Sequence, residues 1–272
     1  MLLINGQSGD SVAVLDRGLQ YGDGLFETIA FINGNAPLWG RHMARLSAGC
    51  RSLGLPRQDA VRLAQEARQL LHADDAQTGK HVIKIIITRG EDGSAYFPGE
   101  GDATRILYTR EWPQRAAQQG FEGIALHRCQ TRLATGSPFA GLKTLNRLEQ
   151  VIAAAEIKKA GLQEGLLCDA DGFMVEALMS NLFWLKQGVL YTPMLDRCGV
   201  SGVMRAEVIE QAEHFGMSVH EVRETPEMLE SAQAMFLTNA LGLTAVRAFS
   251  GKPMDVDAVP VKIRNAIRQL FS

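Results

Sequence analysis

The sequence predicts an α+β protein of two domains, and three observations predict it. Segments with strand-like alternation and segments with the 3.6-residue helical spacing intermingle along the whole chain. Asn33-Gly34, Asp171-Gly172 and Gln187-Gly188 sit between short apolar runs, where tight turns join antiparallel strands. A polar stretch near the middle, containing Pro113, divides the chain into mixed halves. The expected division is 1–112 for a smaller domain, 113–120 for a linker and 121–272 for a larger domain.

The elements follow in order. Residues 2–5 predict a short strand and 12–15 another. Residues 28–32 and 36–37 flank the Asn33-Gly34 turn as a hairpin. Residues 40–53 predict a helix with Met43, Leu46, Cys50 and Leu53 on its apolar face, and Gly54 suits a left-handed cap. A second helix over 57–73 turns Val61, Ala64, Leu70 and Leu71 inward. Strands follow at 81–88 and 104–109. The Gly-rich, acidic stretch 89–102 between them reads as a mobile loop.

The second half begins with a strand at 123–128 and a helix at 145–160, with Leu148, Val151, Ile152 and Ala155 expected inward. Strands at 165–169, 173–177, 181–185 and 189–192 form a meander. A helix at 203–215 is expected to bury Val203, Ala206, Ile209, Ala212 and Phe215. A strand at 234–238 and a helix at 261–270 close the chain. Most pairing is expected to be antiparallel.

With 272 residues, 46% of them hydrophobic, the chain is long enough for a substantial core. A formal net charge of −2 and the lack of a basic run argue against nucleic acid. No apolar segment reaches the roughly 20 residues needed to span a bilayer. The first ten residues, MLLINGQSGD, lack the basic and apolar regions of a secretory signal. Cys50, Cys129, Cys168 and Cys198 form no CxxC pair and the six histidines show no ligand spacing, so neither zinc nor a disulfide framework is expected. A reducing cytoplasm is the expected compartment.

Several residues suit chemistry. Lys143, in Gly141-Leu142-Lys143-Thr144-Leu145-Asn146, lies between a polar loop and an expected helix start. Desolvation or a neighbouring cation would make its amine a nucleophile; a solvated lysine fits the same pattern. Glu176, among apolar neighbours, needs a partner, either an arginine or a protonated heterocycle. Gly199-Val200-Ser201-Gly202-Val203-Met204 opens a helix with free amides suited to an anion, and is equally an ordinary loop-to-helix entry. Thr238-Asn239-Ala240 offers a hydroxyl at a strand end, and Arg45 projects from the first long helix. Neither a GxGxxG after a strand nor a GxSxG is present.

Together these strings resemble the fold-type IV pyridoxal 5′-phosphate (PLP) enzymes, the branched-chain and D-amino acid aminotransferase superfamily. The resemblance runs nearly end to end. It includes Asp16-Arg17-Gly18, Tyr21-Gly22-Asp23-Gly24-Leu25-Phe26-Glu27, His42-Met43-Ala44-Arg45-Leu46, Lys143-Thr144-Leu145-Asn146, Glu176 with Asn181-Leu182-Phe183, Gly202-Val203-Met204-Arg205 and Thr238-Asn239-Ala240. Within it, LKTLNRLEQV (142–151) is most similar to the aminodeoxychorismate lyases. The resemblance implies the two-domain fold of the D-amino acid aminotransferases. It implies a PLP Schiff base on Lys143, which also shuttles protons, and Glu176 beside the pyridine nitrogen. Arg45, the amides of Val203 and Met204, and Thr238 would hold the phosphate, with Asn181 near the cofactor. The implied reaction converts 4-amino-4-deoxychorismate to 4-aminobenzoate and pyruvate, in folate biosynthesis, by a cytoplasmic homodimer. An aminotransferase of D-amino or branched-chain amino acids is the alternative. The substrate carries two carboxylates, for which Arg105 and then Arg89 are the expected cations.

Overall fold

The computed structural model describes residues 1–113 and 122–272. The linker expected at 113–120 therefore lies, beyond Pro113, outside the described residues. The chain divides into two units. Met1–Trp112 and Leu142–Asn146 form the first, and Pro113–Gly141 and Arg147–Ser272 the second.

The first unit is a five-stranded antiparallel sheet covered on one face by two helices. Its strands are β1 (Leu2–Ile4), β2 (Gln7–Ser8), β3 (Gly24–Ile32), β4 (Lys80–Thr88) and β7 (Thr104–Glu111), in the order β2-β1-β7-β4-β3. Strand alternation sorts the side chains. Leu3, Leu25, Ile29, Phe31, Ile83, Ile85, Ile87 and Leu107 all enter one core. Helix α2 (Trp39–Leu53) adds Leu46 and Cys50, and α3 (Ala60–Ala73) adds Leu63, Ala67, Leu70 and Leu71. Gly54 ends α2 at φ +61°, a conformation that costs glycine little.

Some local expectations fail in this unit. Residues 12–15 form no strand, and Val14 is 74% exposed. They lead instead into a short helix, α1 (Arg17–Tyr21), whose first turn Asp16 caps through Gly18 N–H. Val61 points to solvent because the inward stripe of α3 runs through Leu63, Ala67 and Leu70. The Asn33-Gly34 turn forms, but its second strand shrinks to a single bridge between Ile32 and Asn35. Within 89–102, β5 (Gly93–Ser94) pairs with β6 (Phe97–Pro98).

The second unit centres on a nine-stranded sheet. Its path is β10 (Met174–Ala177), β9 (Glu164–Asp169), β8 (Ile124–Leu133), β15 (Gly242–Phe249), β14 (Ala234–Asn239), β11 (Asn181–Lys186), β12 (Val189–Pro193) and β13 (Val219–Val222), with β16 (Lys252–Pro253) on β15. Three pairings are parallel: β8 with β9, β8 with β15, and β12 with β13. This sheet is thus more mixed than the turn signals suggest, because parallel partners are joined by long connections that leave no turn signature. Helices α4 (Leu148–Lys159), α5 (Val203–His214) and α6 (Val261–Gln269) complete the unit.

Two helix faces differ from expectation. Leu148, Val151 and Ile152 are exposed, at 77%, 62% and 60%. Helix α4 has apolar residues on two sides, and the side packed on β8 and β9 is the one carrying Ala153 and Ile157. On α5, Ala206 is exposed, and the buried stripe instead runs through Met204, Val208 and Ala212, four residues apart.

Candidate active site

In the first unit the lysine-bearing segment is stitched along β3. Lys143 C=O accepts Phe26 N–H at 3.0 Å, and Leu145 N–H donates to Gly24 C=O at 3.0 Å. Thr144 bridges Leu25, and Asn146 Nδ2 donates to Gly22 C=O at 3.1 Å. These bonds hold 142–146 extended, so α4 starts at Leu148 rather than 145. A lysine on a strand-like edge is presented more rigidly than one on a loop. Its Nζ lies 4.2 Å from the centre of the Phe26 ring.

On the helix side of β3, Glu27 is 1% exposed and gathers two side chains from α2. It faces His42 Nδ1 at 2.7 Å and accepts from Arg45 Nε at 2.8 Å and Arg45 NH2 at 2.5 Å. Burial pushes the Glu27 carboxyl up, but the bonds from Arg45 and His42 outweigh it and hold the pKa at about 2. Burial lowers the His42 pKa, with Glu27 opposing, so His42 is neutral at pH 7 and its Nδ1–H donates to the carboxylate. Residue spacing alone did not single out Glu27 or His42. The signal was there in a charged residue at an inward strand position and in His42 and Arg45 three apart on one helix face.

The two arginines expected for substrate carboxylates are both engaged within this unit. Arg105 shares the helix-side face of β7 with Leu107 and clasps Glu66 of α3, Nε to Oε2 at 2.8 Å and NH2 to Oε1 at 2.7 Å. Arg89 binds Asp23 Oδ2 at 2.7 Å and donates to the carbonyls of Leu53 and Gly54, closing the end of α2.

The second unit brings the other expected residues together. Glu176 lies on β10 just past an irregularity in its pairing with β9 and is 5% exposed. Its Oε2 accepts Val200 N–H at 2.8 Å, and Asn181 Nδ2 donates to Val200 C=O at 2.9 Å. One loop residue thus ties Glu176 to Asn181. Gly202 makes that closure possible, since a Cβ there would lie 2.0 Å from Asn181 Oδ1. Gly202 N-caps α5 without any side-chain cap, which leaves the first-turn amides of Val203 and Met204 available to an anion. Thr238, opposite Asn181 in the ladder, is on β14, against which α5 packs. The Thr238 hydroxyl is buried and, among the described residues, has no hydrogen-bond partner.

A model of the class IV aminotransferase family matches residues 24–249. The chain belongs to this family. Members are PLP enzymes. The chain is 32% identical to an aminodeoxychorismate lyase of Vibrio harveyi over 94% of each chain. A crystal structure of 4-amino-4-deoxychorismate lyase from Pseudomonas aeruginosa superposes with a TM-score of 0.89 at 41% identity, covering 99% of this chain and 98% of that one. The branched-chain amino acid aminotransferase of Escherichia coli also superposes at 0.89, with 25% identity, covering 100% and 94%. The family's fold is thus common to lyase and aminotransferase.

The second unit's residues fit the phosphate of the family's cofactor. An orphaned buried hydroxyl is costly unless an acceptor arrives, and uncapped helix amides ask for negative charge. The Thr238 hydroxyl and the α5 amides supply both kinds of donor. A different polar group, His127, Cys129 and Glu156, has donor atoms within 4.8 Å of one another although no sequence spacing announces it. Glu156 already accepts from Gln130 N–H at 2.6 Å and Thr131 N–H at 3.1 Å, which ties down the irregular stretch of β8. Among the described residues no helix is long and apolar enough to cross a membrane.

Proposed function

We propose that this chain is a PLP-dependent carbon–oxygen lyase that converts 4-amino-4-deoxychorismate to 4-aminobenzoate and pyruvate, a step of folate biosynthesis. The observation that carries the reading is 41% identity to the Pseudomonas aeruginosa lyase over 99% of the chain, against 25% to the aminotransferase at equal TM-score. Bound PLP supplies a carbonyl carbon for the substrate amine and a ring that accepts the electron pair of the broken C–H bond.

The chain's residues supply position and proton movement. Lys143 holds the cofactor, and its freed amine removes the proton from the amine-bearing carbon. The same nitrogen, now an ammonium, returns a proton to the departing enolpyruvyl carbon as the C–O bond breaks and the carbocycle becomes aromatic. Glu176 keeps the pyridine nitrogen protonated. Its own hydrogen bond from Val200 N–H fixes the carboxylate in a single direction. Arg45, oriented by Glu27, joins the amides of Val203 and Met204 and the Thr238 hydroxyl in holding the phosphate, and Asn181 keeps the 199–202 loop in place. Arg105 and Arg89, each already satisfied by a carboxylate of the chain, support the sheet and α2 before they support a substrate.

The proposal extends to a homodimer in a reducing cytoplasm. Leu148, Val151 and Ile152 form an exposed apolar stripe that a second copy would cover, and the four cysteines are all free and buried. The test is to supply the PLP-loaded protein with aminodeoxychorismate and measure aminobenzoate and pyruvate. Equal yields of the two, together with borohydride fixing the cofactor on Lys143, are expected. Transfer of amino groups from an amino acid to 2-oxoglutarate, with no cleavage of aminodeoxychorismate, would overturn the reading in favour of the aminotransferase.

A further inference from the structure

Gln150 sits in the first turn of α4. Of the side chains in that turn, Leu148 is exposed and Glu149 accepts from Ala134 N–H at 2.8 Å. Gln150 instead meets β10, where its Nε2 lies 3.5 Å from Glu176 Oε1, at the outer limit of a hydrogen bond. The other end of the amide is unsatisfied. Gln150 Oε1 is buried and, among the described residues, has no hydrogen-bond partner. A buried acceptor without a donor destabilises a fold, so stability alone does not account for a glutamine here.

The direction of the amide has a cause. Its NH2 end donates and its C=O end accepts. Turned over, the amide would set its oxygen against the Glu176 carboxylate, two acceptors with no proton between them. The charge on Glu176 therefore decides which end it meets, and the orphaned oxygen is the consequence. Two more groups act on the same carboxylate. Val200 N–H donates to Glu176 Oε2 at 2.8 Å, while Gln150 approaches Oε1. Arg147, the N-cap residue of α4, has its pKa lowered by burial, and the attraction of Glu176 is the largest effect opposing that fall. Arg147 and Gln150, three residues apart at the start of one helix, thus both bear on Glu176.

We propose that Gln150 is a positioning residue for the reaction at Lys143, acting through Glu176 by holding that carboxylate ionised and turned toward the pyridine nitrogen. The inference deepens the lyase reading and rests on it. A carboxylate that loses a donor becomes a stronger base. Glu176 would then compete for the proton that the pyridine nitrogen must keep if the ring is to serve as an electron sink. The Gln150 amide opposes that transfer, and Gln150 itself makes and breaks no covalent bond.

The experiment compares the PLP-loaded wild type, Gln150→Met and Gln150→Glu. Methionine keeps the length of the side chain and removes both polar ends, while glutamate sets a second negative charge against Glu176. Losing one hydrogen bond to a charged group lowers kcat for aminodeoxychorismate cleavage about tenfold in Gln150→Met, with KM within about threefold of wild type. Gln150→Glu loses more. The absorbance of the Lys143 Schiff base titrates at higher pH in both variants, because less positive charge on the ring lets the imine nitrogen keep its proton longer. Urea unfolding of the cofactor-free chains finds Gln150→Met at least as stable as wild type, since the orphaned acceptor is gone. Wild-type kcat and titration in Gln150→Met, with the wild type cleaving the substrate, overturn the proposal and leave the lyase reading standing. A Gln150→Met chain that is less stable or fails to fold also overturns it, because the glutamine is then structural. So does a raised KM at unchanged kcat, which puts Gln150 against the substrate. A wild type that does not cleave aminodeoxychorismate removes the lyase reading, and the Schiff-base titration then decides alone whether Gln150 acts on Glu176.

Discussion

Replacing Glu27 by Gln removes one negative charge from a site that is 1% exposed, with almost no change in volume. The carboxylate accepts from Arg45 Nε and NH2 and faces His42 Nδ1; an amide offers one acceptor oxygen and turns an NH2 toward a guanidinium. The magnitude follows from the proton. Glu27 is held at about 2 against an ordinary 4.5. At about 1.4 kcal/mol per pKa unit that difference amounts to about 3 kcal/mol, the low end of what breaking a buried ion pair costs. The sign is fixed by linkage. A carboxyl with a depressed folded pKa stabilises fully above its unfolded pKa, and the contribution fades as pH falls from about 4.5 toward 2. Wild type and Glu27→Gln should therefore differ by about 3 kcal/mol at pH 7 and converge across that acid window. Urea unfolding followed by circular dichroism from pH 7 to 2.5 measures the gap. A gap under about 1 kcal/mol at pH 7, or one that stays constant on acidification, would refute the account of this cluster.

Two further outcomes are expected. Thr238→Val removes a buried hydroxyl that lacks a partner, so the cofactor-free protein should be as stable as wild type or up to about 1 kcal/mol more stable. PLP affinity should fall about tenfold; an unchanged PLP titration would take Thr238 out of the phosphate site. Ile152→Glu charges an apolar side chain that is 60% exposed in the single chain, so the fold should lose no more than about 0.5 kcal/mol. Light scattering should then report a monomer in place of the dimer proposed for the wild type, and equal masses would place any dimer contact elsewhere.

The parts of this protein most legible in its sequence are those governed by local rules. The end of α2 was readable because Gly54 is the residue that a left-handed cap prefers. Strands β9 to β12 were readable because Asp171-Gly172 and Gln187-Gly188 mark hairpin turns between alternating runs. The parallel pairing of β8 with β15 was not, since about a hundred residues separate partners that share no local signal. Helix α4 shows a different failure. Its apolar residues populate two faces, and periodicity alone does not say which meets the sheet; the stripe of Leu148, Val151 and Ile152 suits an inward face and lies outward. At the site, the glycines and the lysine motif stood out because their chemistry needs few residue types. The Val200 bridge between Glu176 and Asn181 did not, because main-chain N–H and C=O groups leave no trace in a sequence.

Which cations serve a ligand is a question of parity as much as of residue type. In a strand one position separates a core-facing side chain from one on the opposite face, so a one-residue difference reverses the role of a charge. Arg105 and Leu107 share a face, and that face is closed by α3, whose Glu66 takes the guanidinium. Lys84 pairs with Tyr108 across β4 and β7, one step out of phase with Ile85 and Leu107, and so emerges on the face of Phe26. Arginine's planar fork suits fixed internal carboxylates, as at Glu66, Asp23 and Glu27. A lysine is more readily left with a lowered pKa and an open coordination sphere. In the first unit Arg105, Arg89 and Arg45 each hold a carboxylate of the chain, whereas Lys84 and Lys143 lie against the Phe26 ring.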